Sequence, residues 1–217
     1  MYATMLLALA AIVAGCRPVR IPRLRVDMVP IHPFLLLALA LEGGVAAVIV
    51  GLTGVLGAAA ARTPPPKMLR LAFNLVTTAM AAWAASWVAY RLGGRVDAPA
   101  STWTWPLAGA TVTYFFASTG LVATAIAIEK REGFFATWNR SLRWTALPYL
   151  AGFTIAIAAL VVCEKSIAAG LALTIAPCWC LVLAYRSEAR KHLPADRHPA
   201  PEGDTPPAAR GTVPFQR

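Results

Sequence analysis

The chain has 217 residues, of which 58% are hydrophobic and 14% charged, with a formal net charge of +10 and a positive mean hydropathy. That balance excludes an ordinary water-soluble domain and describes a single polytopic membrane domain. The Lys and Arg residues fall between apolar segments rather than along one soluble face, which argues against nucleic acid as a partner and assigns them to orientation and anionic-lipid contact.

Apolar runs read against charged punctuation predict six membrane-spanning helices, near residues 2–16, 33–61, 68–91, 104–128, 145–163 and 167–185. The expected fold is all-α over residues 1–190, followed by a proline-rich cytoplasmic tail over 191–217 with little apolar periodicity, which is expected to be disordered. Val13-Ala14-Gly15-Cys16 resembles a lipoprotein cleavage box, but no Lys or Arg precedes the apolar run and Arg17 follows it directly. The preferred reading is a retained first helix, its beginning lost if the start codon is misplaced, rather than a cleaved leader.

The second run, residues 31–61, contains two ionisable side chains, His32 at its edge and Glu42 inside it, and Glu42 adjoins Gly43-Gly44. Read as one span interrupted at the glycine pair, it places Glu42 at membrane depth; a re-entrant arrangement is the alternative, with each half short for a crossing. Ala47 with Gly51, and Gly54 with Ala58, sit four apart and allow close helix approach, either within the chain or in a homodimer seam. Trp103 and Trp105 precede the fourth span as expected headgroup anchors. Between the fourth and fifth spans, Phe134, Phe135, Trp138 and Leu142 recur near helical spacing among Arg131, Arg140 and Arg143. This pattern reads as a short helix on the inner leaflet, or as a solvated connector with a few anchors.

Six spans put both termini on one side. Segments 62–70, 129–143 and 186–217 hold 3, 4 and 6 Lys plus Arg, against 4, 2 and 1 in segments 17–30, 91–103 and 164–166. Cytoplasmic termini are therefore expected, opposed only by Arg17, Arg20, Arg23 and Arg25.

Glu42 is the leading ligand-binding candidate, because a carboxylate at the centre of a span costs roughly 2.5–3.5 kcal/mol on insertion scales and persists best where something compensates it. His32 lies about 15 Å earlier along a helix. Asn74, Thr77 and Thr78 in the third span, and Tyr114 and Ser118 in the fourth with Thr111, Thr113 and Thr119, offer further polar groups, although Ser and Thr in membrane helices commonly bond their own backbone. Cys16, Cys163, Cys178 and Cys180 are read as small buried residues rather than a disulfide framework or a metal site. Zinc-protease, phosphate-loop and nucleophile-elbow motifs are missing from the sequence, so neither catalysis nor a cofactor is expected.

The order RPVRIP (17–22), an apolar span broken by a Gly pair, TPPPK (63–67) and FNLVTTAMAAWAASWVAYRLGG (73–94) resembles the membrane-associated sensor (MASE-type) regions of bacterial signalling proteins, which commonly precede HD-GYP or GGDEF domains. The likeness extends through FFATWNRSLRW to about residue 190, where this chain has a proline-rich tail in place of an output domain. The resemblance implies a sensor in the bacterial cytoplasmic membrane that relays a small-molecule, lipid or membrane-state input to a separate cytoplasmic partner. Two other readings compete with it. One is a substrate-binding transport subunit similar to the S components of energy-coupling-factor transporters; the other is a structural protein or a remnant of a longer sensor.

Overall fold

Gly43 decides how the long apolar run folds. Its φ of +96° is open to glycine and strained for other residues, and its N–H reaches back to the carbonyls of Ala38 and Leu39, each at 3.1 Å. One helix, α2 (His32–Glu42), ends there, and another, α3 (Gly44–Ala60), begins. The second folds back on the first: a Cβ added at Gly51 would lie 3.2 Å from Leu35 Cδ1, and one at Gly54 would overlap the Ile31 side chain. Residues 33–61 thus form an antiparallel helical hairpin split at the glycine pair, as in the re-entrant alternative, in place of the interrupted span.

The computed structural model describes residues 2–177 apart from 17, 18, 22–25, 29, 64 and 97. Before the hairpin come α1 (Tyr2–Gly15) and two short strands, β1 (Val19–Ile21) and β2 (Val26–Met28), paired antiparallel with Arg20 opposite Asp27. After it come α4 (Met68–Arg91), a 3-10 turn (Ala100–Trp103), α5 (Thr104–Lys130) and α6 (Phe134–Cys163), then α7 (Ile167–Pro177). The architecture is all-α apart from the small β-hairpin, whose Val and Ile residues favour extended backbone. Cys178, Cys180, the end of the sixth expected span and the tail lie outside the described residues.

Among the described residues, three segments are long and apolar enough to cross a membrane: Met68–Arg91, Ala100–Lys130 and Ala146–Cys163. The packing of α4 is inverted relative to a water-soluble helix. Thr77, Thr78, Ala81, Ala82, Ala85, Ser86 and Ala89 are buried, whereas Leu69, Val76, Met80, Trp83, Trp87 and Tyr90 are exposed. Small residues inside let helices approach closely, and large apolar residues outside suit a lipid environment. By contrast, α2 spans only about 16 Å and is buried continuously from Ile31 to Ala40. Its sequence PFLLLALA has no polar face, so it forms the axis of the bundle instead of a lipid-facing element.

Glycines bring α1 onto that axis. A Cβ at Gly15 would overlap the Gly54 carbonyl and lie 2.9 Å from Ala58 N, and one at Gly57 would lie 2.6 Å from the Ile12 carbonyl. Because Thr4 meets Glu42 while Gly15 meets Gly54 and Ala58, α1 runs parallel to α3. The small residues considered for a homodimer seam are therefore used within the chain, with Gly51 against Leu35 and Thr78 and Gly54 against Ile31.

The two ends of the bundle follow. At the Glu42 end, Gly44 N–H donates to the Tyr90 hydroxyl at 2.8 Å, Ala100 N–H donates to Glu164 Oε1 at 2.5 Å, and Trp103 Nε1–H donates to the Arg95 carbonyl at 3.1 Å. Trp103 is consequently 1% exposed and Trp105 79% exposed, so only Trp105 remains free to act as an anchor. At the other end lie Cys16, Ala60, Met68 and the α5–α6 turn, where exposed Arg70 and Glu129 approach at 3.7 Å. The segment leaving Cys16 therefore starts at the same end as residues 61–67, whereas six alternating spans would place them at opposite ends.

The connector between the fourth and fifth expected spans also differs from expectation. A turn at Arg131, whose φ of 54° is left-handed, leads straight into α6, and Phe134–Trp138 are its first turns. Trp138 packs inward: its indole donates to Thr119 Oγ1 at 3.2 Å, its ring lies 5.6 Å from Phe116, and Phe134 stacks on it at 5.7 Å. Phe135 is exposed; the side chains of Arg140, Leu142 and Arg143 lie outside the described residues. These turns extend a spanning helix and do not form a separate helix lying on the leaflet.

This topology predicts a labelling pattern. A membrane-impermeant thiol reagent should reach exposed Cys16 from the same side as a cysteine replacing Lys67, and a cysteine replacing Arg95 from the opposite side. Labelling of Cys16 with the Arg95 position instead would reinstate six alternating spans.

Candidate functional site

The site grows from the first residue of α2. Since α2 starts partway down the bundle, His32 sits about 15 Å from Glu42 along the axis, among the middle turns of α5 and α6. Pro33 occupies the first turn, where its missing N–H costs nothing. No side-chain hydrogen bond caps that turn, so the positive end of the helix lies at His32.

His32 is 6% exposed. Its ring lies 5.2 Å from Tyr114 of α5 and 4.8 Å from Tyr149 of α6, and Phe115 meets Tyr149 edge-on at 5.0 Å. The close approach depends on Gly152, where a Cβ would sit 2.9 Å from His32 Cδ2. The Tyr149 hydroxyl shares a hydrogen bond with Ser118 Oγ at 3.2 Å, and Thr78 of α4 lies beside the Tyr114 hydroxyl. Yet neither Nδ1 nor Nε2 of His32 has a hydrogen-bond partner. An unsatisfied buried polar group costs roughly 1–3 kcal/mol, so this is the feature that needs a chemical explanation.

Of the residues nominated from sequence, the fold gathers His32, Thr78, Tyr114 and Ser118. Thr77 is buried next to Thr78, and Asn74 lies one turn earlier on the Thr78 face, half-buried. Other nominated hydroxyls bond their own helix: Thr111 donates to the Leu107 carbonyl at 2.8 Å, and Thr119 to the Phe115 carbonyl at 2.6 Å. Tyr149 and Gly152 were missed. Their signal was a tyrosine inside an apolar span, which normally seeks a hydroxyl partner, next to Pro148, which interrupts the backbone ladder of α6.

Glu42 lies elsewhere. It is half-buried at the hairpin apex, accepts a hydrogen bond from the Thr4 hydroxyl, and is level with Tyr90 at the end of α4. The expectation of a carboxylate at the centre of a span fails because the chain turns at Gly43. Substitution Glu42→Gln keeps an oxygen acceptor for Thr4, should accordingly change stability by only about 1 kcal/mol, and should leave the His32 cluster intact. Thermal unfolding in detergent would measure it, and a loss of several kcal/mol would contradict this placement.

Among the described residues, no three His, Cys, Asp or Glu side chains converge as a metal site. No protein-family model matches the chain, and no curated protein or solved structure matches it. A functional reading therefore rests on the cluster and on the helices that carry it.

Proposed function

We propose that the chain is an integral membrane sensor subunit of the bacterial cytoplasmic membrane. Its input is registered around His32 and passed along α6 to a signalling partner at the basic end. The observation that carries this reading is that one helix, α6 from Phe134 to Cys163 with Pro148 inside it, holds both Tyr149 in the cluster and Trp138 near the α5–α6 turn. A displacement of Tyr149 would reach the helix start by changing the bend at Pro148, where the backbone ladder of α6 is interrupted.

Charge supports the orientation. Segments 62–70 and 129–143, which join helices at the basic end, hold three and four Lys plus Arg, and residues 17–30, which follow Cys16 in sequence, hold four, whereas 91–103 and 164–166 hold two and one. The positive-inside rule then favours a cytoplasmic basic end, and the arginines that opposed the six-span reading now agree with the rest. Tyr2 would face the other side, in contrast to the expectation of two cytoplasmic termini. Buried α2 fills the bundle axis where a transported substrate would need room, which is why sensing is preferred to transport. The resemblance to MASE-type regions points the same way.

The test is affinity purification of the full chain from native membranes with mass spectrometry of co-purifying proteins. A cyclase, phosphodiesterase or kinase should be recovered, and recovery should fall when Arg131, Arg140 and Arg143 are changed together to Glu. An ATPase pair would instead favour transport. Recovery unaffected by the charge reversal would count against a relay through this end.

A further inference from the structure

We propose that the His32 cluster binds a membrane-dissolved ring carbonyl of the quinone class, its oxygen held at the first turn of α2. This rests on the sensor reading and names its input. Three independent observations support it.

The first is the set of donors. A neutral imidazole has one N–H donor and one acceptor nitrogen, and both nitrogens of His32 are unpartnered in a residue that is 6% exposed. The Tyr114 ring lies beside that of His32, centroid to centroid 5.2 Å, and the uncapped start of α2 adds the positive end of a helix. These groups together favour an oxygen carrying partial negative charge.

The second is the lack of countercharge. Residues 71–90 of α4, 104–128 of α5 and 146–163 of α6 contain no Lys, Arg, Asp or Glu, and neither does α1 or α3; the sole charged residue of α2 is Glu42 at its far end. A carboxylate or phosphate would be held there without a cation, at high cost in a low-dielectric interior. A neutral carbonyl oxygen meets the donors without that cost.

The third is shape and access. The rings of His32, Tyr114, Tyr149 and Phe115 touch one another tilted or edge-on at 4.8–6.0 Å, so the cluster offers a flat ring an aromatic edge to lie against rather than a slot between faces. Tyr149 and Ser118 are half-buried, so the rim of the cluster between α5 and α6 is open to lipid, beside exposed Phe116 and Leu150. An apolar ligand dissolved in the bilayer reaches the cluster past that pair.

The full chain, labelled with nitrogen-15 histidine and reconstituted in phospholipid nanodiscs, is titrated with a decyl-substituted benzoquinone and separately with its reduced form. The chain contains three histidines, so His192 and His198 serve as internal references. The ring resonances of His32 should shift and saturate while the other two stay fixed. The reduced form, whose hydroxyl both accepts and donates and can therefore also use the acceptor nitrogen of His32, should shift the same resonances. Tyr114→Phe should weaken quinone binding by at least about fivefold, the scale of one hydrogen bond.

Two results would overturn the proposal. One is a His32 resonance already characteristic of a hydrogen-bonded ring nitrogen and indifferent to quinone, meaning that water alone fills the site. The other is a non-saturating drift of all three histidines, meaning simple partitioning into lipid. The titration of the unmodified chain decides the matter even if Tyr114→Phe fails to fold. Because binding is measured on the isolated chain, its failure leaves the relay to a partner to be judged by its own experiment.

Discussion

Replacing His32 with Phe should raise stability and abolish sensing together. The ring contacts to Tyr114 and Tyr149 are retained in kind, while two buried nitrogens without partners are removed. Relief of an unsatisfied polar group is worth roughly 1–3 kcal/mol; some is lost in fitting a slightly larger ring against Gly152, where space is already tight. A net gain of about 1–2 kcal/mol corresponds to a rise in unfolding temperature of roughly 2–8 °C for a chain of this size. Nothing else is orphaned, because no hydrogen bond reaches either nitrogen in the parent. The sensing half of the prediction is read from partner activity in membranes containing the variant, which should no longer respond to the input. A His32→Phe protein that is destabilised by several kcal/mol would show that the imidazole is structural. Such a trade of stability for function is common where a binding group is kept in an unfavourable environment.

The largest loss of stability is expected from Gly54→Leu. Gly54 is the crossing point of three helices: its carbonyl lies under Gly15 of α1, and its Cα faces Ile31 at the entry to α2. A leucine there cannot be accommodated by turning a flexible chain end, since its Cβ would overlap Cγ2 and lie 3.2 Å from Cβ at the branch of Ile31. Overpacking of this kind typically costs up to about 3 kcal/mol, lowering the unfolding temperature by roughly 6–12 °C. The control is Gly120→Ala on α5, where an added Cβ meets nothing within 4 Å; it should gain about 0.5–1 kcal/mol from the lower backbone entropy of alanine in a helix. Both are measured by thermal unfolding followed by size-exclusion chromatography in detergent. Equal tolerance of the two substitutions would mean that α1, α2 and α3 are not packed at Gly54.

These expectations could not have been ranked from sequence. Glu42 attracted attention because one-dimensional hydropathy measures distance from the ends of an apolar run, and by that measure the carboxylate is deep. Gly43 turns that run back on itself, so the middle of the sequence becomes the edge of the bundle and the edge, at His32, becomes the middle. The same reversal bears on the arginines of residues 17–30, which conflict with six alternating spans: a parallel α1 and α3 put the end of α1 at the same end of the bundle as the end of α3. Trp103 and Trp138 show a similar effect on a smaller scale. Both were read as surface aromatics from their charged or polar neighbours, and both fold inward because their indole N–H groups find acceptors on adjacent elements.

The sequence by itself determined the solvent class, the helical character, the three long spans and the nature of the polar residues available to a site. These depend on composition and local periodicity, which the chain carries wherever it folds. Only the tertiary structure decided depth and proximity: that Glu42 is peripheral, that His32 is central, and that Tyr114 and Tyr149 converge on it from helices far apart in the chain. The physical reason is that one glycine backbone angle and the close approaches allowed at Gly15, Gly51, Gly54 and Gly152 fix which faces meet. Such information lies in the fit between surfaces and has no signature in the periodicity of any single segment.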